Sequence, residues 1–390
     1  MARAEGTVEG VRRANLSRVL RLVHEDGPLS RAALTESTGL NRSTIGALVA
    51  DLVAAGLASE GAPEVHRRVG RPSPSVAAAP DVVAIAVNPE VDALTVAAIG
   101  LDRTIVLRER IELEGLISAA QAVELTTGVT DRWRGGELAA HRIAGIGVAV
   151  PGLVRTADGL VRRAPHLDWT DAPLRDTLAR ASGLPVAIDN DATLGALAES
   201  MYGAGRDVSD LIYLNGGASG IGGGLVIGGR LVRGAGGYAG ELGQNRPGIA
   251  QPADRRSGAQ GTLEDEVSRS RLLAVVGLHS ADEPTLERAI RESRSVEVAA
   301  EVERQRRILA TALANAVNVL NPSTVVLGGF LATILEQDAE ALLSAVRAQA
   351  MAMNAEDLQL RPADLGPDRL LVGAAEIAFE ALLTDPLTPA

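Results

Sequence analysis

Apolar residues Leu16, Val19, Leu20 and Val23 recur at three- and four-residue spacing and fall on one face of a helix, which ends at Asp26-Gly27-Pro28. Ser30 is placed to cap a short second helix over Arg31 to Ser37. Thr38-Gly39-Leu40 breaks it, and Asn41 can cap a third helix that reaches about Ala54. In this third helix Ile45, Leu48, Val49 and Leu52 form the apolar stripe, so Arg42, Ser43, Gly46 and Ala47 face outward near its start. After Gly56, Leu57-Ala58-Ser59-Glu60 and a segment near Val65 to Val76 read as two strands of a wing. Its tip holds His66, Arg67, Arg68, Gly70, Arg71 and Pro72.

Past the joint Ala77-Ala78-Ala79-Pro80, β-rich apolar runs alternate with helical stretches, beginning with Val82 to Val87 and Leu94 to Ile99, which indicates an α/β architecture. Three later segments place polar or glycine residues just after a buried strand. They are Gly145 to Gly152, Ala164-Pro165-His166-Leu167-Asp168-Trp169, and Val186 to Thr193 with Asp189-Asn190-Asp191 at its centre. In open α/β sheets ligands collect at that edge. The most glycine-dense run, Asn215 to Val226, is followed by Gly240-Glu241-Leu242-Gly243-Gln244. Glycine there lets backbone N–H groups approach an anion, although such turns are more often plain hairpins. A late helix with Leu309, Ala312, Leu313, Ala316 and Leu320 ends at Asn321-Pro322, and the strand Thr324-Val325-Val326-Leu327 delivers Gly328-Gly329.

Length and composition narrow this picture. A chain of 390 residues exceeds one comfortable core, so two or three domains are expected. No apolar run approaches the roughly 20 residues that cross a bilayer. The opening Met1-Ala2-Arg3-Ala4-Glu5-Gly6 lacks a secretory pattern, so a cytoplasmic protein without membrane attachment is expected. With no cysteine and no ligand-like spacing among the five histidines, no metal site is expected. All 38 basic residues are arginine. The net charge of −11 is unevenly spread: residues 1–80 hold ten arginines against eight carboxylates, a balance of +2, and the remainder carries −13. Any nucleic-acid surface therefore belongs near the N-terminus.

The N-terminal residues suit that role. A helix entering the major groove needs polar tips for base edges and phosphates with little bulk beyond them, as Arg42 and Ser43 followed by Gly46 and Ala47 provide. Gly70-Arg71-Pro72 is a compact extended arginine presenter of the kind that fits a narrow minor groove. The expected DNA-contacting set is Arg31, Asn41, Arg42, Ser43, Thr44, Gly46 and Ala47 with Arg67, Arg68 and Arg71 of the tip. The competing readings are a helical interaction bundle and a solvated charged loop.

The stretch from Leu29-Ser30-Arg31 through Thr38-Gly39-Leu40-Asn41-Arg42-Ser43-Thr44-Ile45 to Leu52-Val53-Ala54-Ala55-Gly56-Leu57 closely resembles the winged helix of bacterial ROK-family repressors. The later landmarks, in their order, resemble the ROK sugar kinase and repressor fold across roughly residues 80–385. The resemblance implies an α/β chain: an N-terminal winged helix-turn-helix (1–78) followed by a two-lobed actin-like ATPase (ROK sugar kinase-like) domain. Its lobes would span 79–195 and 196–390, with the terminal helix returning to the first. It also implies a carbohydrate effector at the positions matching Gly152, His166, Asn190, Asp191, Glu241, Gln244 and Glu264. Carboxylates and amides suit vicinal hydroxyls, and Asp191 could act as a base toward a sugar hydroxyl.

Two departures from that family shape the functional expectation. Where its kinases carry an Asp-x-Gly-Gly-Thr phosphate turn, this chain has Asn88-Pro89-Glu90-Val91-Asp92, which lacks the glycines and adds negative charge. Phosphoryl transfer depends on such positioning, so no enzyme activity, no cofactor and no catalytic residue are expected. Where the family holds a structural zinc, the counterparts are Gln244, Arg255, Ser257 and Thr262, which offer no thiolate; Pro247, Pro252 and local polar contacts would have to order the loop instead. The expected protein is a dimeric or tetrameric regulator, a repressor of carbohydrate genes, that binds a double-stranded operator and a sugar or sugar phosphate. The alternatives are a ligand-independent DNA binder that uses the ROK region for dimerisation, and an active sugar kinase. Trp169 is the one aromatic candidate near the cleft, and packing behind its loop accounts for it as well.

Overall fold

In the computed structural model, which describes residues 8–61, 74–256 and 261–388, helix α1 (Val8–Glu25) buries Leu16, Val19, Leu20 and Val23 completely or nearly so. A short strand β1 (Leu29–Ser30) leads into α2 (Arg31–Thr38), which Ser30 caps by accepting from the Ala33 N–H. The helix runs one residue beyond the sequence expectation, to Thr38, whose hydroxyl donates to the Leu34 carbonyl 2.6 Å away. Gly39 then takes φ +73°, the left-handed conformation that reverses the chain at little cost only for glycine. Asn41 caps α3 (Arg42–Ala54), whose Ile45, Leu48, Val49 and Leu52 are buried as their spacing requires.

Strands β2 (Ala58–Gly61) and β3 (Ser75–Ala78) form an antiparallel pair with Ala58 opposite Ala78 and Gly61 opposite Ser75. Leu57, expected in the strand, instead closes α3: its N–H donates to the Leu52 carbonyl and its side chain is buried. The tip residues His66, Arg67, Arg68, Gly70, Arg71 and Pro72 lie outside the described residues.

The chain continues through β4 (Val82–Pro89), β5 (Ala93–Gly100), β6 (Ile105–Glu112), α4 (Ala119–Gly135) and β7 (Arg142–Val150). A hairpin of β8 (Leu153–Arg155) and β9 (Leu160–Ala164) follows, then β10 (Trp169–Ala172), α5 (Leu174–Ser182) and β11 (Val186–Asn190). One sheet has the order β11-β7-β4-β5-β6, with β4 parallel to β7 and antiparallel to β5. Every residue of β4 and β5 is buried, which is why these strands read as unbroken apolar runs rather than alternating ones.

After α6 (Asp191–Tyr202) a second five-stranded sheet forms from β12 (Leu211–Gly217), β13 (Gly220–Ile227) and β14 (Arg230–Leu231). The helices α7 (Leu263–Glu266), α8 (Arg269–Val275), α9 (Glu283–Glu292) and α10 (Val296–Leu320) come next. The chain ends with β15 (Thr324–Gly329), α11 (Phe330–Gln337), α12 (Ala339–Arg347), α13 (Ala352–Ala355), β16 (Gln359–Pro362) and α14 (Arg369–Thr384). The strand order is β14-β13-β12-β15-β16. Period-two alternation sorts its side chains: Ile212, Leu214, Val325 and Leu327 join Leu309 and Leu313 of α10 in one core, while Tyr213 and Val326 join Ala196 of α6 in another.

The chain divides into two compact units. The first holds residues 1–149, 167–188 and 374–390, and the second holds 150–166 and 189–373. Within the first, Gly147 lets the last helix approach its sheet, since a Cβ there would lie 1.7 Å from the Ala374 carbonyl oxygen. Among the described residues no helix is long and apolar enough to cross a membrane.

Candidate functional sites

The exposed face of α3 is assembled by its cap. The Asn41 side-chain oxygen accepts from the Thr44 N–H at 2.8 Å and from the Ser43 hydroxyl at 2.6 Å, which holds the start of the helix rigid. Arg42, Ser43 and Ala47 are exposed and Gly46 and Thr44 are half-buried, the arrangement the apolar stripe requires. Among the described residues the Arg42 side chain has no hydrogen-bond or ion-pair partner and remains available for a ligand. Arg31 is placed differently: its Nε and a terminal nitrogen donate to the two Glu60 carboxylate oxygens at 2.6 and 2.7 Å, tying α2 to the wing strand β2. Sequence reasoning passed over Arg18, whose guanidinium donates to the Thr38 and Ser37 carbonyls at 2.9 and 2.7 Å and so caps the end of α2. Arg67, Arg68 and Arg71 lie outside the described residues.

A second cluster lies within the second unit. Asn190 caps α6 by accepting from the Thr193 N–H at 2.9 Å, and its amide nitrogen donates to the Gly152 carbonyl at 3.0 Å and to Asp191 at 3.1 Å. Asp191 also accepts from the Ala192 N–H at 2.8 Å, yet burial pushes its carboxyl up to about 6. Glu264, on α7, accepts from the Ile221 N–H at 3.2 Å and from the Gln244 amide at 2.6 Å. Loss of water contact raises the Glu241 carboxyl, and repulsion from Asp191 and Glu264 adds to the rise. The structure thus brings Gly152, Asn190 and Asp191 into one bonded set and Gln244 and Glu264 into another, with Glu241 feeling the charges of both. His166 sits exposed in a short 3-10 turn, Pro165–Leu167, and bonds to none of them.

The segment Asn88 to Asp92 is closed by an ion-pair cluster. Asn88 donates to Glu90 at 3.0 Å, and Arg110 of β6 bonds Glu90, Asp92 at 3.3 Å and Glu112 at 2.8 Å. Hydrogen bonding to Glu90, against a smaller opposing effect of burial, holds the guanidinium pKa above its ordinary value. These residues do not fit a nucleotide phosphate, which would meet three carboxylates already committed to one arginine and a proline, Pro89, with no donor.

The loop around Gln244 does not fit a zinc ion either. Gln244, Arg255 and Thr262 supply no thiolate, and Ser257 lies outside the described residues. A guanidinium holds it instead. Arg304 of α10, 2% exposed, donates to both oxygens of Glu301 at 2.7 and 2.9 Å, to Glu266 at 3.0 Å, and to the Asp254 and Glu266 carbonyls at 2.7 Å each. Arg307 adds a bidentate pair to Asp254 at 2.8 and 3.1 Å. Trp169 is packed rather than presented, 4% exposed with its Nε1 donating to the Ile117 carbonyl.

Residues 85–381 match the model of the ROK family over more than half the chain. The chain belongs to the ROK family. This ROK protein is 31% identical over 265 residues to the xylose repressor of Caldicellulosiruptor bescii, a match covering 63% of this chain and 64% of that one. The chain thus spans just under two thirds of that relative. It is also 29% identical over 269 residues to the glucokinase of Halalkalibacterium halodurans, covering 64% and 81% of the two chains. A solved ROK family transcriptional regulator, described as a homologue of the E. coli MLC protein, superposes with a TM-score of 0.76 at 24% identity. That superposition covers 97% of this chain and 98% of the other, so the ROK protein shares its fold from the helix-turn-helix onward.

Proposed function

We propose that this ROK protein is a DNA-binding transcription regulator, a repressor of carbohydrate genes, that takes a sugar effector and performs no phosphoryl transfer. The observation that carries the reading is the capped, exposed face of α3, where Arg42, without a side-chain partner among the described residues, stands ahead of the small residues Gly46 and Ala47. The name of the 31% identical relative, a xylose repressor, supports it and points toward a pentose. The arginine-closed segment Asn88 to Asp92 supports the absence of kinase chemistry.

The effector cluster favours an uncharged sugar over a phosphorylated one. Three carboxylates, Asp191, Glu241 and Glu264, share it, and among the described residues no guanidinium hydrogen-bonds to any of them, Arg369 acting on Asp191 only through its charge. A phosphate would add to the repulsion that already raises Glu241. Control of DNA binding then needs two conformations of a dimer or tetramer, to which the sugar binds with different affinity.

A specific observation also favours a second reading, a ligand-independent DNA binder. Asn190 is employed as a helix cap, and Glu264 already has two partners. Calorimetry against a panel of sugars and sugar phosphates separates the two: saturable heat with an uncharged sugar supports sensing, and none with any sugar leaves the ROK region as a scaffold. Genome-wide crosslinked-DNA sequencing tests the regulator itself, with Arg42→Ala and Arg71→Ala expected to weaken discrete sites. ADP release from ATP with any hexose would establish the kinase reading in place of this one.

A further inference from the structure

Helices α1 and α3 lie side by side and leave an open groove of about 370 Å³, lined on one side by Val11, Arg12 and Asn15 and on the other by Ser43, Ala47 and Asp51 among others. Ser43 and Ala47 belong to the face read above as the DNA-contacting one, so the groove borders that face directly. Asp51 is a liability there. It stands one helical turn beyond Ala47, its side chain is 26% exposed, and a carboxylate on a helix laid against phosphates repels them.

Arg12 answers that charge from α1. Its terminal nitrogen bonds the Asp51 carboxylate, yet its side chain remains 51% exposed. The other arginines of α1 point elsewhere: Arg13 pairs with Glu9 and Asp385, Arg18 caps α2, and Arg21 bonds Glu380 and Thr384. The side chain of Asn15, half-buried in the groove, makes no hydrogen bond among the described residues and keeps donor and acceptor available. The need for a further cation is concrete. Arg31 is committed to Glu60, which leaves Arg42 as the arginine of α2 and α3 available for phosphate.

We propose that α1 is part of the DNA interface, with Arg12 shielding Asp51 and reaching a phosphate beside Ala47 while Asn15 bonds the same backbone. The inference rests on the regulator reading and adds to it a second helix and two residues that the helix-turn-helix pattern alone does not assign.

The test uses the full chain and a duplex carrying a site recovered by crosslinking, with affinity read by fluorescence anisotropy over a salt series. Arg12→Ala is expected to weaken binding about tenfold and to reduce the salt slope by about one. Arg12→Lys, which keeps the charge, should retain most of the affinity, separating this effect from damage to the fold. Arg12→Ala combined with Asp51→Ala should recover part of the loss, because the unshielded carboxylate is gone. Asn15→Ala should weaken binding several-fold with little change in slope. If Arg42→Ala weakens binding while Arg12→Ala binds like the wild type, α1 lies outside the interface and this inference falls with the regulator reading intact. If the wild type binds no discrete site, both fall together.

Discussion

Asp191 shows how one side chain can carry two opposed demands. Its position at the first turn of α6, with the Ala192 N–H and Asn190 amide as donors, favours the carboxylate, while burial raises its pKa to about 6. The unfolded chain releases this proton near 3.9, so between about pH 4 and 6 the native state holds a proton that the unfolded state has lost. This group therefore favours folding less and less as pH rises through that window, and the deficit persists above it. Asp191→Asn should raise the thermal midpoint at pH 7.5, with the difference shrinking toward zero below pH 4. Calorimetry of the same variant should show loss of sugar binding, since asparagine cannot accept two hydrogen bonds from vicinal hydroxyls in the way a carboxylate does. A variant no more stable than the wild type at pH 7.5 would show that burial does not strain this carboxylate.

The elements that could be read from the chain are those whose signal is local. Gly39 and the caps Ser30 and Asn41 mark the helix-turn-helix within a dozen residues, and the structure reproduces each. The buried strands β4 and β5 were legible as apolar runs for the same reason. Arg304 was not legible, because its partners Asp254 and Glu266 lie 50 and 38 residues away and its own helix reads as an ordinary amphipathic one. The Arg31 pair was hidden for the same reason: nothing near it in sequence announces Glu60, 29 residues on. The Arg304 arrangement has a measurable consequence. Removing one partner of a buried ion cluster leaves uncompensated charge and costs about 3–5 kcal/mol, whereas replacing the whole set by apolar residues is often neutral. Arg304→Met should lower the melting midpoint sharply and release the strands of chain on either side of residues 257–260 to hydrogen exchange. The triple change Arg304→Met, Glu266→Leu, Glu301→Leu should recover most of the midpoint. It should not restore sugar affinity if Glu264, two residues from Glu266 on α7, needs the ordered loop.

At the scale of the whole chain, the winged helix is fastened to the end of the polypeptide. Within the first unit, Ser17 donates to the Leu383 carbonyl at 2.6 Å, Arg21 pairs with Glu380 and Arg13 with Asp385. At the centre His24 is fully buried, with Nδ1 2.6 Å from the Leu101 carbonyl and Nε2 3.0 Å from Glu376, and its ring edge meets Phe379. An acceptor faces each ring nitrogen, so both need a proton and the imidazolium is the form that fits. Burial alone would lower its pKa, but the hydrogen bond and charge of Glu376, the Leu101 carbonyl and the neighbouring Glu25 together raise it above 6.5. A raised histidine contributes its full stability below 6.5 and loses it as pH climbs through the folded value. The attachment of α1 to α14 should therefore loosen above neutral pH, visible as faster hydrogen exchange in both helices after correction for intrinsic rates. His24→Ala should remove the pH dependence and loosen both helices at every pH, because the buried Glu376 carboxylate loses the imidazolium. His24→Leu with Glu376→Leu should restore protection without restoring the dependence on pH. Protection of α1 in the wild type that stays constant from pH 6 to 9 would mean that the imidazole, rather than the imidazolium, is sufficient for the joint.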